Sequence, residues 1–292
     1  MKRTGLNNQT RIYAMNGLKC MDYGLIGFFD ILEYKSFLAN NSASDTARNV
    51  LNIINNIPKK VVEFNRNLSK SATNHPYAEC GAAFKHLVFS DTIVFLLPYK
   101  ENPEDIWVGM AEIFMAGVSA ALAAEMFQYG LPIRGVIHEG DFIYENMCIA
   151  GRGIVDSYQL CESLNFAGLA YSPYFGNKMI EALKSRGAFN WHDNDGQDLF
   201  TYLAPLNNGS ESKLLLVNWL HDLRLLRPDA LAKLKENIED FVWSAFWAHQ
   251  KDCSHSVDIK VHNTIKVMRK MLQNINIAES KDKKTVSMPS NP

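Results

Sequence analysis

The apolar positions of this chain fall into short continuous runs and longer runs of helical period. From Tyr23 to Ile31 nearly every residue is apolar or glycine, and the run closes on Asp30-Ile31, which predicts a central strand covered on both faces. Ser44 or Asp45 is placed to cap a helix carrying Val50, Ile53, Ile54 and Ile57. Pro58 is expected to kink or end it before Val61, Val62 and Phe64 resume the pattern. Asn74-His75-Pro76 marks a loop. Two strands then follow in close succession, Ala82 to Phe89 and Thr92 to Leu97, with Ser90-Asp91 between them as a tight hairpin. Lys100 to Pro103 reads as a loop, and Asp105 to Tyr129 as a long apolar helix stopped by Gly130 and Pro132. Ile133 to His138 is a strand, turned by Glu139-Gly140-Asp141 into Phe142 to Tyr144. Gly151-Arg152-Gly153 opens a helix that runs through Leu164, Leu169 to Tyr171 is a short strand, and a helix follows from Tyr174 to Ser185.

From Tyr23 the order is strand, helix, strand, strand, helix, strand, the split βαβ arrangement of a ferredoxin-like fold. The expected class is therefore α+β: a ferredoxin-like βαββαβ core with additional C-terminal strands and helices. The additions are strand-like pieces from Leu199 to Leu203 and from Lys213 to Trp219, separated by Asn207 to Ser210, and helical stretches from Ala230 to His249 and from Val257 to Ile275. This divides the chain into a polar lead-in (1–22), a principal domain (23–220), a helical extension (221–277) and a polar tail (278–292) expected to be disordered.

Composition narrows the class of function. An apolar fraction of 47% supports a sizeable core. Thirty basic residues against 31 acidic ones predict neither a nucleic-acid-binding surface nor a membrane-binding one, so an anionic substrate must be held by a local device such as a metal ion. The five cysteines are odd in number and form no CxxC pair, which argues against a disulfide framework and a zinc site. No signal peptide is evident, and Glu112 and Glu125 interrupt the most apolar stretch, so a core helix and a cytoplasmic protein are expected, with no membrane insertion.

Two acids carry the candidate chemistry. Asp30 ends the first strand and Asp91 lies in the hairpin joining the second and third, which in this topology are close neighbours of the first. Their carboxylates can reach one point at the same sheet edge, where they repel unless a cation lies between them. Hard oxygen ligands favour Mg²⁺ or Mn²⁺ shared with substrate phosphates, and two ions about 4 Å apart can activate an attacking oxygen and stabilise a leaving one. The plainer alternative is that each Asp is a turn former or a helix cap.

Four segments bear on that choice. Gly27-Phe28-Phe29-Asp30-Ile31-Leu32-Glu33-Tyr34 resembles the first metal motif of class III nucleotide cyclases, and Phe89-Ser90-Asp91-Thr92-Ile93-Val94 their second. Leu131 to Gly140, which contains Arg134-Gly135-Val136-Ile137-His138, is similar to their Arg-Ile-Gly-Ile-His strand. Gly151 to Glu162 occupies the place of their catalytic helix, and Tyr171-Ser172-Pro173 that of the short strand after it. The match runs in order over about residues 23 to 175. In the catalytic helix this chain departs from the adenylyl cyclases: Val155 stands in place of their Asn, and Gln159 in place of their Arg. Phe28 to Leu32, Phe89 to Asp91 and Val217 to Leu220 look closest to the bacterial Pycsar pyrimidine cyclases, antiviral enzymes that make cyclic UMP or cyclic CMP in defence against phage.

The resemblance implies two Mn²⁺ or Mg²⁺ ions per site, bound by Asp30, Asp91 and the backbone carbonyl of Ile31. It also implies UTP, ahead of CTP, as substrate, a homodimer with composite sites at the interface, and a downstream effector protein that senses the cyclic product. Phe29 is expected beside the triphosphate or as a plain core aromatic. Lys85 matches a base-reading lysine or is an exposed strand residue. Tyr34 touches the base or packs on a helix face. Arg134 and Arg152 are the candidates to meet phosphate charge, through the two-pronged hydrogen bonding of guanidinium, and His138 is read as structural. The other outcomes left open are a purine cyclase and a cyclase-like module that binds without catalysis.

Overall fold

A computed structural model describes residues 21–41, 45–70, 76–100, 105–185, 198–250 and 254–286. Among these, eight strands form one sheet in the order β2-β3-β1-β4-β6-β8-β7, with β5 paired to β4. The strands are β1 (Asp22–Ile31), β2 (Lys85–Phe89), β3 (Thr92–Pro98), β4 (Ile133–Glu145), β5 (Cys148–Ala150), β6 (Gly168–Tyr171), β7 (Leu199–Pro205) and β8 (Glu211–Val217). The helices are α1 (Tyr34–Asn41), α2 (Asp45–Lys70), α3 (Pro76–Ala83), α4 (Asp105–Gln128), α5 (Arg152–Ser163), α6 (Pro173–Ser185), α7 (Leu220–Leu226), α8 (Pro228–Glu236), α9 (Ile238–Trp247) and α10 (His255–Val286). β1 lies antiparallel between β3 and β4, and β3 pairs antiparallel with β2, so the first four strands have the ferredoxin-like order. β6 extends the sheet in parallel from β4, and the β7–β8 hairpin completes it.

The pleat sorts the side chains of β1 between two faces. Phe29 points to the face covered by α4, where it meets Phe95 edge-on at 5.0 Å; Phe84 joins Phe95 to Phe114 of α4. Glycine at 135 makes room for that ring, since a Cβ there would fall 2.3 Å from Cδ1 of Phe29. Ile26, Phe28 and Asp30 point to the other face, which α5 covers: Tyr158 stands edge-on to Phe28 at 5.7 Å. α4 is long and apolar enough to cross a membrane, but most of it is buried against the sheet and against α2, α3 and α7.

Several expected boundaries move, each for a physical reason. α2 runs unbroken through Pro58, which is buried beside Ile54, Ile57, Val61 and Val62; packing of that stripe outweighs the hydrogen bond a proline forfeits. Pro76 opens α3 rather than a loop, so β2 begins at Lys85 and not at Ala82. β4 passes straight through Glu139-Gly140-Asp141 without the expected turn. Gly140 serves close approach there: the Cα of Gly153 in α5 lies 3.0 Å from where its Cβ would be. The reversal comes later, at Asn146 and Met147, both left-handed with φ of 49° and 63°. The helical stretch from Ala230 divides at Asn237, whose side chain caps α9 by accepting from the Asp240 amide at 3.1 Å. α10 continues to Val286, past the start of the expected disordered tail. Residues 1–20 of the expected lead-in and most of the loops at 74–76 and 100–103 lie outside the described residues, and Asp22 already belongs to β1.

The C-terminal helices share the core of the sheet domain. α7 lies on α4, and α10 lies against α7, α9 and β7. Thr264 of α10 is fully buried, and its hydroxyl oxygen accepts from the Ala167 amide at 2.8 Å while the hydroxyl donates to the Lys260 carbonyl at 2.7 Å. Replacing it with valine leaves a buried amide without an acceptor, so Thr264→Val should lose about 1–3 kcal/mol in chemical denaturation, whereas Thr264→Ser, which keeps the hydroxyl, should lose less.

Candidate functional site

The site starts from the register of three strands. Asp30 stands opposite Thr92 in β3 and opposite Arg134 in β4. Asp91 occupies the two-residue turn before Thr92, and its carbonyl accepts from the Ile31 amide at 2.9 Å. The turn is tight because Ser90 takes a left-handed φ of 54°. Sequence positions 30, 31, 91 and 134 thus meet at one sheet edge.

Arg134 provides the positive charge at this edge. Its Nε and Nη2 both reach Oδ2 of Asp30 at 2.8 Å, with side-chain exposures of 10% for Arg134 and 20% for Asp30. Nη1 donates to the carbonyls of Glu162 at 2.8 Å and Leu164 at 3.3 Å, and Nη2 lies 3.6 Å from the Glu162 carboxylate. The guanidinium is therefore clamped between β1 and the end of α5. Burial nevertheless raises the Asp30 carboxyl above its ordinary value. Arg134 opposes this by charge and hydrogen bonding, while the charges of Asp91 and Glu162 add to it. Burial is the largest of these effects, so the shift reflects chiefly the cost of a charge where water is scarce.

Apart from Tyr34, whose hydroxyl feels the charge of Asp91, the remaining expected residues disperse. Phe29 is fully buried and its ring lies on the face opposite Asp30, so the core reading holds for its side chain and the expected place beside a triphosphate does not. Tyr34 is buried against Phe37 at 5.5 Å, the packing reading; its hydroxyl is raised by burial and then by the charge of Asp91. Lys85 shares Asp30's face but stands at the level of Ile26, about 13 Å along the strand direction, with its ammonium 4.9 Å from the Tyr144 ring centre. Arg152 is 89% exposed at the opposite end of α5 from Glu162, beside Asp156 at 3.6 Å. His138 bonds Ser172 through Nδ1 at 2.8 Å, and burial lowers its pKa.

Three neighbours of the site went unread in the sequence. The Glu162 carboxylate flanks Arg134, the carbonyls of Glu162 and Leu164 hold it, and Tyr158 approaches Glu162, which raises the phenol by hydrogen bonding. The one available signal was the spacing of Tyr158 and Glu162, i and i+4 on one helix face.

The donor set fits a hard divalent cation. Two carboxylates and a strand-end backbone offer oxygen only. Among the described residues no group of three or more His, Cys, Asp or Glu side chains is arranged to hold a metal. An ion here would have to complete its shell with water and substrate phosphate, the usual habit of Mg²⁺.

No family model and no curated protein matches the chain. Among solved structures it is similar to a bacterial light-regulated adenylyl cyclase, with 12% identity over 71% of this chain and 57% of that one and a TM-score of 0.41. It thus spans little more than half of that structure's length. It is similar to the guanylate cyclase domain of RhGC from Catenaria anguillulae in complex with GTP, with 11% identity over 67% of this chain and 96% of that one and a TM-score of 0.39. It is likewise similar to the guanylyl cyclase Cya2, with 12% identity over 68% and 91% and a TM-score of 0.36. Identities this low leave the chemistry to be argued from the chain's own residues.

The raised Asp30 carboxyl gives a signed expectation. The folded protein keeps this proton to a higher pH than the unfolded chain, whose aspartates titrate near about 3.9. The associated stability is fully present below that pH and is lost as pH rises through the folded value. In thermal melts without metal, the difference between wild type and Asp30→Asn should shift against the wild type as pH rises through this window.

Proposed function

We propose that the chain is a nucleotide cyclase that converts a pyrimidine nucleoside triphosphate, UTP ahead of CTP, into its 3′,5′-cyclic monophosphate and pyrophosphate. The observation that carries the proposal is the meeting of Asp30 and Asp91 at one sheet edge, where a single arginine, Arg134, is paired with Asp30. Divalent ions bound there, Mn²⁺ or Mg²⁺, would supply charge neutralisation at the triphosphate and a lowered pKa for the attacking hydroxyl. Asp30, Asp91 and the Ile31 carbonyl would hold them. In the reaction the ribose 3′ oxygen forms a bond to the α-phosphorus, the bond from that phosphorus to the bridging oxygen breaks, and pyrophosphate leaves with the electron pair. The hydroxyl proton passes to solvent.

Arg134 has a double part in this reading. At rest it pairs with Asp30, and with a triphosphate present its charge lies beside the phosphate path. Arg152 and Lys85 are too far along α5 and β2 to serve the same protomer's Asp30, so their roles require a partner. The surface supports a homodimer: Phe89, Met147, Val155 and Tyr158 are large apolar residues left exposed around the β2–β3 hairpin, the β4–β5 turn and α5. A second copy laid across them would bring one protomer's Lys85 and Arg152 toward the other's acids.

The pyrimidine choice rests on sequence resemblance and on α5. Val155 and Gln159 are exposed on α5, where adenylyl cyclases carry Asn and Arg, so this chain needs another means of holding the ribose and the developing charge. Cytoplasmic synthesis of a second messenger for antiviral defence, read by a separate effector protein, belongs to the same proposal.

Incubating purified protein with ATP, GTP, CTP and UTP separately in the presence of Mn²⁺, with product identification by mass spectrometry, should yield cyclic UMP or cyclic CMP. A purine product would overturn the substrate assignment, and the absence of product from folded protein would favour a binding module. Asp91→Ala should lower turnover at least about a hundredfold, the scale on which removal of a charge-stabilising group acts, while sedimentation still shows the dimer.

A further inference from the structure

The turn that follows Asp30 is held from the far end of the chain. Glu33 has a φ of 62°, a left-handed conformation that glycine takes freely and a glutamate takes only under constraint. Its carbonyl is engaged locally, accepting from the Phe37 amide at 3.1 Å and the Ser36 hydroxyl at 3.3 Å. Its carboxylate accepts from Nζ of Lys260 in α10 at 2.7 Å, in a pair whose side chains are 15% and 19% exposed. Screening by water and salt is weaker there than on an open surface.

Lys260 does not act alone. Asn263 and Thr264 lie three and four positions further on, on the same side of the helix. Asn263 donates through Nδ2 to the Asn165 carbonyl at 3.0 Å, and Thr264 accepts from the Ala167 amide at 2.8 Å. Those bonds fix the connection between α5 and β6, which begins at Leu164, one of the two carbonyls that hold Arg134. One side of α10 therefore touches the backbone supporting both halves of the Asp30–Arg134 pair.

We infer that Lys260 is a positioning residue for the proposed metal site. By holding Glu33 in its left-handed turn, it sets the backbone from which Asp30 and Ile31 present their oxygens. The docking of the C-terminal helix thereby governs the affinity of the sheet edge for a divalent cation. The inference rests on the metal reading above and deepens it. A simpler role, in which the ion pair only staples α10 to the domain, makes a different forecast when Glu33 is replaced by glycine. Glycine adopts the turn without an anchor, yet it restores no contact to α10.

The test is a titration of the full chain with Mn²⁺ alone, read by the electron paramagnetic resonance of free Mn²⁺, with circular dichroism to confirm folding. Lys260→Met should weaken Mn²⁺ binding by about tenfold, the scale set by one residue's left-handed strain. Adding Glu33→Gly to Lys260→Met should return the affinity toward the wild-type value, while the thermal midpoint without metal stays at or below that of Lys260→Met. Wild-type affinity in Lys260→Met, or a double variant as weak as the single one, would overturn the inference while leaving the metal site standing. A wild-type protein that binds Mn²⁺ no better than Asp91→Ala would overturn the metal reading and this inference with it.

Discussion

The molecule depends on a charge placed where water is scarce. Asp30 ends a strand that is buried on both faces, and the same burial that makes β1 the centre of the sheet raises the Asp30 carboxyl. An isolated carboxylate in that position would simply hold its proton. Here the chain places an arginine directly across the β1–β4 ladder and fixes it with two carbonyls from the end of α5. With a second acid one turn away, the result is an edge that is neutralised only in part. The proposed chemistry uses that remaining deficit.

Much of the fold exists to make this edge possible. Phe29, Phe84, Phe95 and Phe114 interlock beneath α4 and fix the twist and spacing of β1 and β3. Gly135 lets β4 approach close enough for Arg134 to reach Asp30, because any larger residue would strike the Phe29 ring. The β7–β8 hairpin and α10 widen the sheet on the other side and close over the α5–β6 connection. Packing on one face and charge on the other are thus coupled through the alternation of a single strand.

What the sequence made legible follows from locality. Asp30 and Asp91 could be read because each belongs to a short pattern, a strand end and a two-residue hairpin, and because the ferredoxin-like order then makes their strands neighbours. Phe29 and Tyr34 were ambiguous because an aromatic beside a site and an aromatic in the core look alike until the strand's faces are assigned. The Arg134–Asp30 pair was missed as a pair: 104 residues separate its partners, and nothing local to either marks the register that joins them. Lys260 and Glu33, 227 residues apart, show the same limit more strongly. The straight passage of β4 through Gly140 was misread because glycine between polar residues signals a turn, whereas here it admits the backbone of α5.

The proposed chemistry requires Asp30 and Asp91 to hold divalent cations jointly. Crystals grown with Mn²⁺ and a non-cyclisable nucleoside triphosphate, measured by anomalous diffraction at the manganese edge, should show manganese peaks about 2 Å from oxygens of both residues, with phosphate oxygens completing the shell. Density showing the nucleotide bound but no manganese at this edge, with Arg134 still closed on Asp30, would contradict that joint binding.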